Sequence, residues 1–482
     1  MVIVAILLAI VCIPEVAPFS DFPNHVARVH VLSRLGDPAY GNVYESAWGA
    51  YPNLAFDGFG VGLSGLFSAP LAGRLFLALV VTNWCYACMR LGRAITGRPS
   101  VRALVACTFV LNEHFLQGYV NFACGMGFAI HAIATIADER RRPSDLAWLA
   151  VCSILTAASH AAAIVTLIVG ALAFLPRSAK PGRPLKERLG PIAAAAIPGG
   201  AYLAHWAFAL ASTDQDKSFS PPTHSLKHLL FSTQPSFNAS VDKAVLGAMA
   251  LVALLAIIRH VRSGLCWPML LGGAGLALLV FVAPQDVAGA YESNGRYVLG
   301  AFTLGVFALK PSDFARTKLD GALAVVLLGV MLVRLGVLGK SVVELGDELA
   351  KERRLIATVP QGATLGNLTY FTQGDRATAL RECALLHAPA FAVIDRQADV
   401  PSLYAIPGVQ PLRHKHAKFD THRFRSDAPL PDVARIKREL DGVWICRPPA
   451  ELHEALLAGG KSLGRQGDCE LILWRVPESN AK

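Results

Sequence analysis

The sequence predicts an α-helical polytopic membrane protein with about 11 transmembrane helices and a small extracytoplasmic α/β domain at the C-terminal end. Three observations support this fold class. Of the 482 residues, 53% are hydrophobic and only 17% are charged, whereas a soluble chain carries about 25% charged residues. Long apolar runs recur as far as residue 339, and several approach the roughly 20 residues that cross the hydrocarbon layer. From residue 340 onward the charge rises and the apolar runs shorten to strand length.

The first apolar segment, residues 1–17, is expected to be a retained transmembrane helix with its N-terminus in the cytoplasm. A cleaved secretory signal is the competing interpretation, but the segment has no basic n-region and no clear A-x-A cleavage site. The first outer loop then covers residues 18–70. Within it, 54–70 carries Asp57 and several glycines and serines. We therefore expect that stretch at the membrane interface or as a re-entrant segment, and 71–90 as the next span.

The remaining spans follow from the basic loops. Short loops rich in arginine and lysine occur at 90–102, 140–142, 177–188, 259–262 and 310–318. Such loops lie predominantly in the cytoplasm, so an even number of helices is expected between neighbouring loops. The last apolar run, 320–338, then carries the rest of the chain to the outer side. Because the basic residues behind the net charge of +10 cluster in these loops, we expect no nucleic-acid partner.

Two domains are predicted, a transmembrane domain over 1–339 and an extracytoplasmic α/β accessory domain over 340–482. The second domain shows strand-length apolar runs at 390–394, 443–446 and 471–476, and helical patterns at 380–387 and 450–457. It also contains Cys383, Cys446 and Cys469. Three cysteines allow one disulfide and one free thiol, and their spacing does not select the pair.

Polar residues gather at the predicted outer ends of the apolar segments. They are Asp21, His25, Arg28, Glu113, His114, Gln117, Tyr119, Asn121, His160, Glu292, Asn294 and Arg296. Ionisable groups at membrane depth are costly and commonly line a cavity, so this pattern predicts one shared outer cavity. Structural alternatives exist: Asp21 could cap a helix that begins near Pro23. Likewise, Arg28 could contact lipid phosphates, His160 could be a packing residue and Arg296 could be a snorkelling anchor.

The order of these features resembles the GT-C superfamily of membrane glycosyltransferases, in particular its bacterial members. The resemblance rests on a first helix followed by an acidic motif, DFPNH at 21–25, on AGRL at 72–75, and on GYVNF at 118–122. It implies a GT-C-like fold over most of residues 1–339. It also implies an enzyme of the bacterial inner membrane that moves a sugar from a polyprenyl-phosphate-linked donor to an acceptor hydroxyl on the extracytoplasmic face.

The resemblance further implies that a carboxylate in the first outer loop acts as base or metal ligand, a role that falls to Asp21. Many members carry paired acidic residues there, whereas this chain has Phe22 as the neighbour. The second carboxylate is therefore expected from Glu113, Asp57 or Asp37. A divalent cation, Mg²⁺ or Mn²⁺, is compatible with this chemistry, but the sequence shows no complete ligand set.

Site roles follow from this interpretation. The predicted catalytic residues are Asp21, His25 and Glu113. The residues predicted to bind substrate or donor phosphate are Arg28, His114, Tyr119, Asn121, His160, Glu292 and Arg296. The expected partners are a polyprenyl-phosphate sugar lipid, a glycan, lipid or protein acceptor, and the membrane lipids. Two alternatives stay open, a lipid or solute transporter and a non-catalytic membrane scaffold.

Overall fold

The computed structural model describes residues 2–97, 99–138, 142, 144–178, 185–210, 218–219, 221–260, 265–286, 292–308, 318–372, 376–405, 408–416, 423–425 and 430–475. Helices predominate as far as residue 356. They are α1 (Val2–Cys12), α2 (Phe22–Leu32), α3 (Pro38–Gly41), α4 (Ala55–Leu63), α5 (Ala69–Thr96), α6 (Val101–Thr108), α7 (Glu113–Leu116), α8 (Val120–Ala137), α9 (Ser144–Ser159), α10 (Ala161–Leu172), α11 (Leu175–Ser178), α12 (Leu185–Leu210), α13 (Pro222–Phe231), α14 (Ala239–His260), α15 (Trp267–Val282), α16 (Tyr297–Val306) and α17 (Lys318–Ile356).

Strands and short helices alternate in the C-terminal part. Its helices are α18 (Arg376–Leu385), α19 (Ala390–Arg396), α20 (Val433–Glu439) and α21 (Ala450–Leu457). The strands within the described residues are β1 (Tyr44–Ser46), β2 (Leu365–Phe371), β3 (Leu412–His414), β4 (Arg423–Arg425), β5 (Gly442–Cys446), β6 (Lys461–Gln466) and β7 (Cys469–Leu473).

Many of the helices have the apolar composition of membrane spans. Within the described ranges, four stretches are also long enough to cross a membrane: Ala69–Thr96, Val120–Ala137, Val325–Ile356 and Arg376–Arg396. The fourth is divided by a turn into α18 and α19, so two short helices replace one continuous span. Shorter apolar helices are Val2–Cys12, Ser144–Ser159, Ala161–Leu172, Trp267–Val282 and Tyr297–Val306. The number of about 11 crossings stays a prediction.

A five-stranded mixed sheet, ordered β4-β2-β5-β7-β6, organises the C-terminal part. β2 pairs in parallel with β4 and β5, while β7 pairs antiparallel with β5 and β6. Side chains along β5 alternate between faces. Val443 and Ile445 pack with α20 and α21 in one apolar cluster. Trp444 packs on the opposite face, in a second cluster that also contains residues of α17 and α19.

The first outer loop is joined to this C-terminal part. Strand β1, from the loop, pairs antiparallel with β3. Tyr40 and Tyr44 of the loop are 1% and 2% exposed and lie in the same apolar cluster as Trp444. The boundary predicted between residues 339 and 340 falls inside the continuous helix α17. The C-terminal domain therefore shares its core with residues that the sequence assigned to the membrane domain.

One predicted strand is wrong. The apolar run at 390–394 forms helix α19, with Pro389 at its N-cap position and Gln397 ending it in a left-handed conformation. Short apolar runs fit a buried strand and a buried helix equally well. Here the Arg353 guanidinium covers the Phe391 ring at 4.7 Å and pairs with Asp395 at 2.7 Å. These contacts favour the helix, because they fix both side chains against α17.

Helix α17 also carries a buried arginine, Arg334, that was not predicted from the sequence. Arg334 is fully buried and donates hydrogen bonds to the backbone carbonyls of Thr108, Leu111 and Pro235. Buried charges require such compensation. The guanidinium thereby ties α17 to the end of α6 and to the segment that precedes α14.

The structure selects one cysteine pair in the C-terminal domain. Cys446 and Cys469 are partners across β5 and β7 and form a disulfide that does not include Cys383. Disulfides persist in oxidising compartments, which agrees with the predicted outer location of this domain.

We expect the double variant Cys446→Ser/Cys469→Ser to lose about 3 kcal/mol of unfolding free energy, because the crosslink closes a loop with a sequence separation of 23. Chemical denaturation of the detergent-purified protein measures this loss. Cys383→Ser is the matched control, since it removes a thiol without removing a crosslink. Complete alkylation of Cys446 and Cys469 in unreduced protein from the cell envelope would contradict the pairing.

Candidate functional site

The short helix α7 carries Glu113 and His114, and Gln117, Tyr119 and Asn121 follow it; the sequence predicts that all five line the outer cavity. Asn112 caps the helix by accepting a hydrogen bond from the Phe115 amide at 3.1 Å. The backbone just after α7 contacts the N-terminal end of α2, because the Asp21 amide donates a hydrogen bond to the Gln117 carbonyl at 3.1 Å. At Gly118, φ is +88°, and a Cβ atom there would lie 2.4 Å from the Asp21 nitrogen. Glycine is therefore required for this close approach.

Asp21 occupies the N-cap position of α2, but its side chain makes no capping hydrogen bond. The residue is 5% exposed, and its carboxylate contacts the C-terminal part instead. The Tyr404 hydroxyl donates to Asp21 Oδ1 at 3.0 Å, and His387 Nε2 lies 3.4 Å from the same oxygen. His387 Nε2 is also 3.1 Å from the Tyr404 hydroxyl oxygen. The capping alternative thus accounts for the position of Asp21 but not for the contacts of its side chain.

Further along α2, Arg28 pairs with the buried carboxylate of Asp57, which lies on α4, and His25 contacts Arg28. Arg28 Nε and Nη2 donate to Asp57 Oδ1 and Oδ2 at 2.7 and 2.9 Å, and both side chains are 0% exposed. Arg28 Nη2 also lies 2.7 Å from His25 Nδ1. Burial, together with the adjacent Arg28 charge, lowers the pKa of His25 to about 3, so its ring is neutral at pH 7. This trio joins α2 to α4, and Arg28 reaches neither lipid nor an open phosphate site.

Glu113, the first residue of α7, binds a cation from the C-terminal domain. Arg376 of α18 donates from Nε to Glu113 Oε1 at 2.9 Å and from Nη2 to Oε2. The Ser232 hydroxyl also donates to Oε2, at 2.7 Å. Burial acts to raise the pKa of Glu113, but the Arg376 charge and a hydrogen bond with His228 hold it well below its usual range. Glu113 is therefore ionised, and Arg376 matches its charge.

Two histidines of α13 extend this cluster towards Glu292. His228 Nδ1 lies 3.8 Å from Glu113 Oε2, and its Nε2 lies 3.8 Å from Glu292 Oε1. Gln117 donates to Glu292 Oε2 at 3.1 Å. Burial acts to lower the pKa of His228, but the two carboxylates outweigh it and the pKa is raised. The cluster thus favours positive charge at His228, from a proton or from a bound cation.

Four of the predicted phosphate-binding residues come together beside α7. The Arg296 guanidinium lies 4.3 Å from the centroid of the Tyr119 ring, within the range of a cation–π contact. Its Nη1 is 2.7 Å from His160 Nε2. The His114 ring stacks on Tyr119 with a centroid separation of 5.8 Å. Arg296 is 4% exposed, so its charge is held in a defined place at the protein interior.

Asn121 lies outside the group around Arg296, as do Asp57 and Asp37, which were candidates for the second carboxylate. Asn121 Oδ1 accepts from the Phe56 amide at 2.7 Å and its Nδ2 donates to Asn53 Oδ1 at 2.7 Å, which fixes the loop before α4. Asp57 pairs with Arg28 as described, and Asp37 caps α3 by accepting from the Ala39 amide. These residues hold the scaffold. Of the three candidates for the second carboxylate, Glu113 is the one on α7, and the Gln117 carbonyl just after that helix accepts from the Asp21 amide.

Sequence reasoning missed residues that complete the site. They are Ser232, His224, His228, Arg376, His387 and Tyr404. Three of these belong to the C-terminal part, which the sequence separates from Asp21 and Glu113 by more than 250 positions. His224 and His228 could have been recognised from the sequence, since a spacing of four places them on one face of a helix.

No metal-ligand group that includes Asp21 is found among the described residues. The group of three potential ligands within that part of the chain is His224, His228 and Glu292. The arrangement around α7 offers a carboxylate, Asp21, that accepts a hydrogen bond from Tyr404, and a buried guanidinium, Arg296, that lies against Tyr119 and His160 and can bind an anion.

No protein-family model matches the chain, and no curated protein sequence matches it. Among solved structures, the chain is similar to the crystal structure of ArnT from Cupriavidus metallidurans in the apo state. The TM-score is 0.51 at 11% sequence identity, and the match covers 98% of this chain and 97% of that chain. ArnT is a GT-C glycosyltransferase, so the resemblance predicted from the sequence is confirmed for the fold. The apolar helices and this fold are those of an integral membrane protein.

We expect Asp57→Asn to destabilise the protein by about 3–5 kcal/mol, because it leaves the Arg28 charge buried without its counterion. Denaturant unfolding in detergent measures the change. Glu15→Gln is the control, since Glu15 pairs with Arg354 on the surface and both side chains are 62% exposed. Such a pair contributes about 0–1 kcal/mol. Equal losses in the two variants would show that the buried pair does not anchor α2.

Proposed function

We propose that this protein is a membrane glycosyltransferase that moves a sugar from a polyprenyl-phosphate-linked donor to a hydroxyl of a glycan, lipid or protein on the extracytoplasmic face. The observation that carries the proposal is the environment of Asp21. Its carboxylate does not cap α2 and is held by Tyr404 and His387. A general base must lie within hydrogen-bond reach of the proton that it accepts, and the contacts with Tyr404 and His387 fix where this carboxylate lies. The ArnT-like fold supports the same class of reaction.

In the proposed reaction, Asp21 takes the proton of the acceptor hydroxyl while the hydroxyl oxygen bonds to the anomeric carbon of the sugar. The bond between that carbon and the donor phosphate oxygen breaks, and the electron pair leaves with the phosphate. One displacement of this kind inverts the configuration at the anomeric carbon. Tyr404 and His387 orient the carboxylate oxygen, so these two residues are assigned a positioning role.

The leaving phosphate needs a cation, and Arg296 is our choice for it. A guanidinium bonds phosphate oxygens in pairs and is most effective in a site from which water is excluded. The Tyr119 ring contacts one face of the Arg296 guanidinium, and His160 contacts its Nη1 atom. These two contacts orient the guanidinium before any ligand binds. Arg28, the other arginine considered from the sequence, is committed to Asp57.

Glu113 has a different role in this proposal from the catalytic one that the sequence suggested. Its charge is matched by Arg376 and its oxygens accept three hydrogen bonds, two from Arg376 and one from Ser232. An acceptor so fully occupied is a weak base. We therefore assign Glu113 to holding α18 against α7, next to the site.

We expect Asp21→Asn to lower turnover at least 100-fold, since general base catalysis contributes about 10²–10⁴. The assay uses proteoliposomes with undecaprenyl-phosphate sugars and inner-membrane lipid extract, and quantifies released undecaprenyl phosphate by mass spectrometry. Asp37→Asn is the matched control, because it makes the same chemical change in the same outer loop at a residue that caps α3. Undiminished turnover by a folded Asp21→Asn protein would exclude Asp21 as the base.

A further inference from the structure

We propose that His224, His228 and Glu292 form a binding site for a borderline transition-metal ion, with Zn²⁺ as the best match. The site lies beside Glu113 and is separate from the ion anticipated at Asp21. It does not rest on the proposed glycosyltransferase function. Three observations carry it: the geometry of the ligand atoms, the hydrogen bonds behind them, and their chemical type.

The ligand atoms are already close enough to share one ion. His224 and His228 lie one turn apart on α13, and their Nε2 atoms are 2.8 Å from each other. His228 Nε2 is 3.8 Å from Glu292 Oε1, and all three ligand atoms lie within 4.8 Å of one another. Tetrahedral Zn²⁺ with bonds of about 2.0–2.1 Å places its ligand atoms about 3.3 Å apart. Small side-chain rotations therefore suffice to enclose the ion.

Hydrogen bonds behind the ligands orient them towards the shared point. His228 Nδ1 is 3.2 Å from the Ser232 hydroxyl oxygen, and this hydroxyl donates its own proton to Glu113. Nδ1 must then carry the imidazole proton, which leaves the Nε2 lone pair facing His224 and Glu292. Metal-binding histidines commonly donate the other ring N–H to a carboxylate, a backbone carbonyl or a water, and the Ser232 hydroxyl takes that place here. Gln117 fixes Glu292 in the same manner, by binding Oε2 and leaving Oε1 towards His228.

The donor set selects the metal. Two imidazole nitrogens and one carboxylate oxygen suit Zn²⁺ and similar ions, whereas Mg²⁺ prefers an all-oxygen shell. His228 and Glu292 are buried, while His224 is partly exposed and gives the ion a path from solvent. Glu113 adds no uncompensated charge, because Arg376 neutralises it. A bound ion would join α13 to the segment that carries both Glu292 and Arg296. It would thereby help to fix the position of the Arg296 guanidinium.

The test measures metal binding without donor or acceptor, so its outcome is independent of the activity assay. Full-length protein in detergent is stripped with a chelator and titrated calorimetrically with Zn²⁺ alone, then with Mg²⁺ alone. We expect one Zn²⁺ per chain and at least tenfold weaker binding in His224→Ala and Glu292→Gln. His416→Ala, which removes an exposed histidine of the C-terminal part, should bind as tightly as the wild type.

Glu292→Gln keeps the shape of the side chain, so it separates loss of a ligand from loss of the fold, and size-exclusion profiles check the other variants. Co²⁺ provides a second readout, because a tetrahedral nitrogen and oxygen site gives visible absorption that both variants should lose. Wild-type affinity in the two ligand variants would overturn the proposal. So would tighter binding of Mg²⁺ than of Zn²⁺, or the absence of Zn²⁺ binding by the wild type.

Discussion

The buried ion pair between Arg28 and Asp57 is the constraint from which the outer site follows. Two charges with 0% exposed side chains are stable only when they are joined with good geometry, and here two parallel hydrogen bonds join them. The pair fixes α2 against α4, and His25 packs behind the guanidinium. Because Asp21 is the N-cap residue of α2, fixing the helix also fixes where that carboxylate lies. The motif at residues 21–28 is thus partly an anchor, and Asp21 at its start accepts a hydrogen bond from Tyr404 of the C-terminal part.

The C-terminal domain is part of the site and not merely an attachment to it. It meets the first outer loop through the β1–β3 pair and a shared apolar core. It also supplies a partner to each of the two important carboxylates, Tyr404 to Asp21 and Arg376 to Glu113. A substrate that reaches Asp21 must therefore pass between the two parts of the chain or rearrange these contacts. The accessory domain expected from the sequence thus contributes residues to the candidate site.

The fold class and the location of the site could be predicted because both depend on local properties. Apolar composition predicts the helices, and helix α21 (Ala450–Leu457) coincides with its predicted range. The gathering of His114, Tyr119, His160 and Arg296 follows from their common position at helix ends. The contacts that define chemistry could not be predicted, because Arg376 lies 263 positions from Glu113 and Tyr404 lies 383 from Asp21.

The proposed reaction requires that Arg296 binds the phosphate of a lipid-linked donor. Mass spectrometry of the lipids that co-purify with the detergent-solubilised protein tests it most directly, with Arg296→Ala compared against the wild type. Arg93→Ala, which removes an exposed arginine at the far end of α5, is the control. We expect a polyprenyl phosphate or its glycosylated form in the wild type and in Arg93→Ala, and its depletion in Arg296→Ala. Bulk phospholipid alone in all three well-folded samples would contradict the proposed binding of a lipid-linked donor.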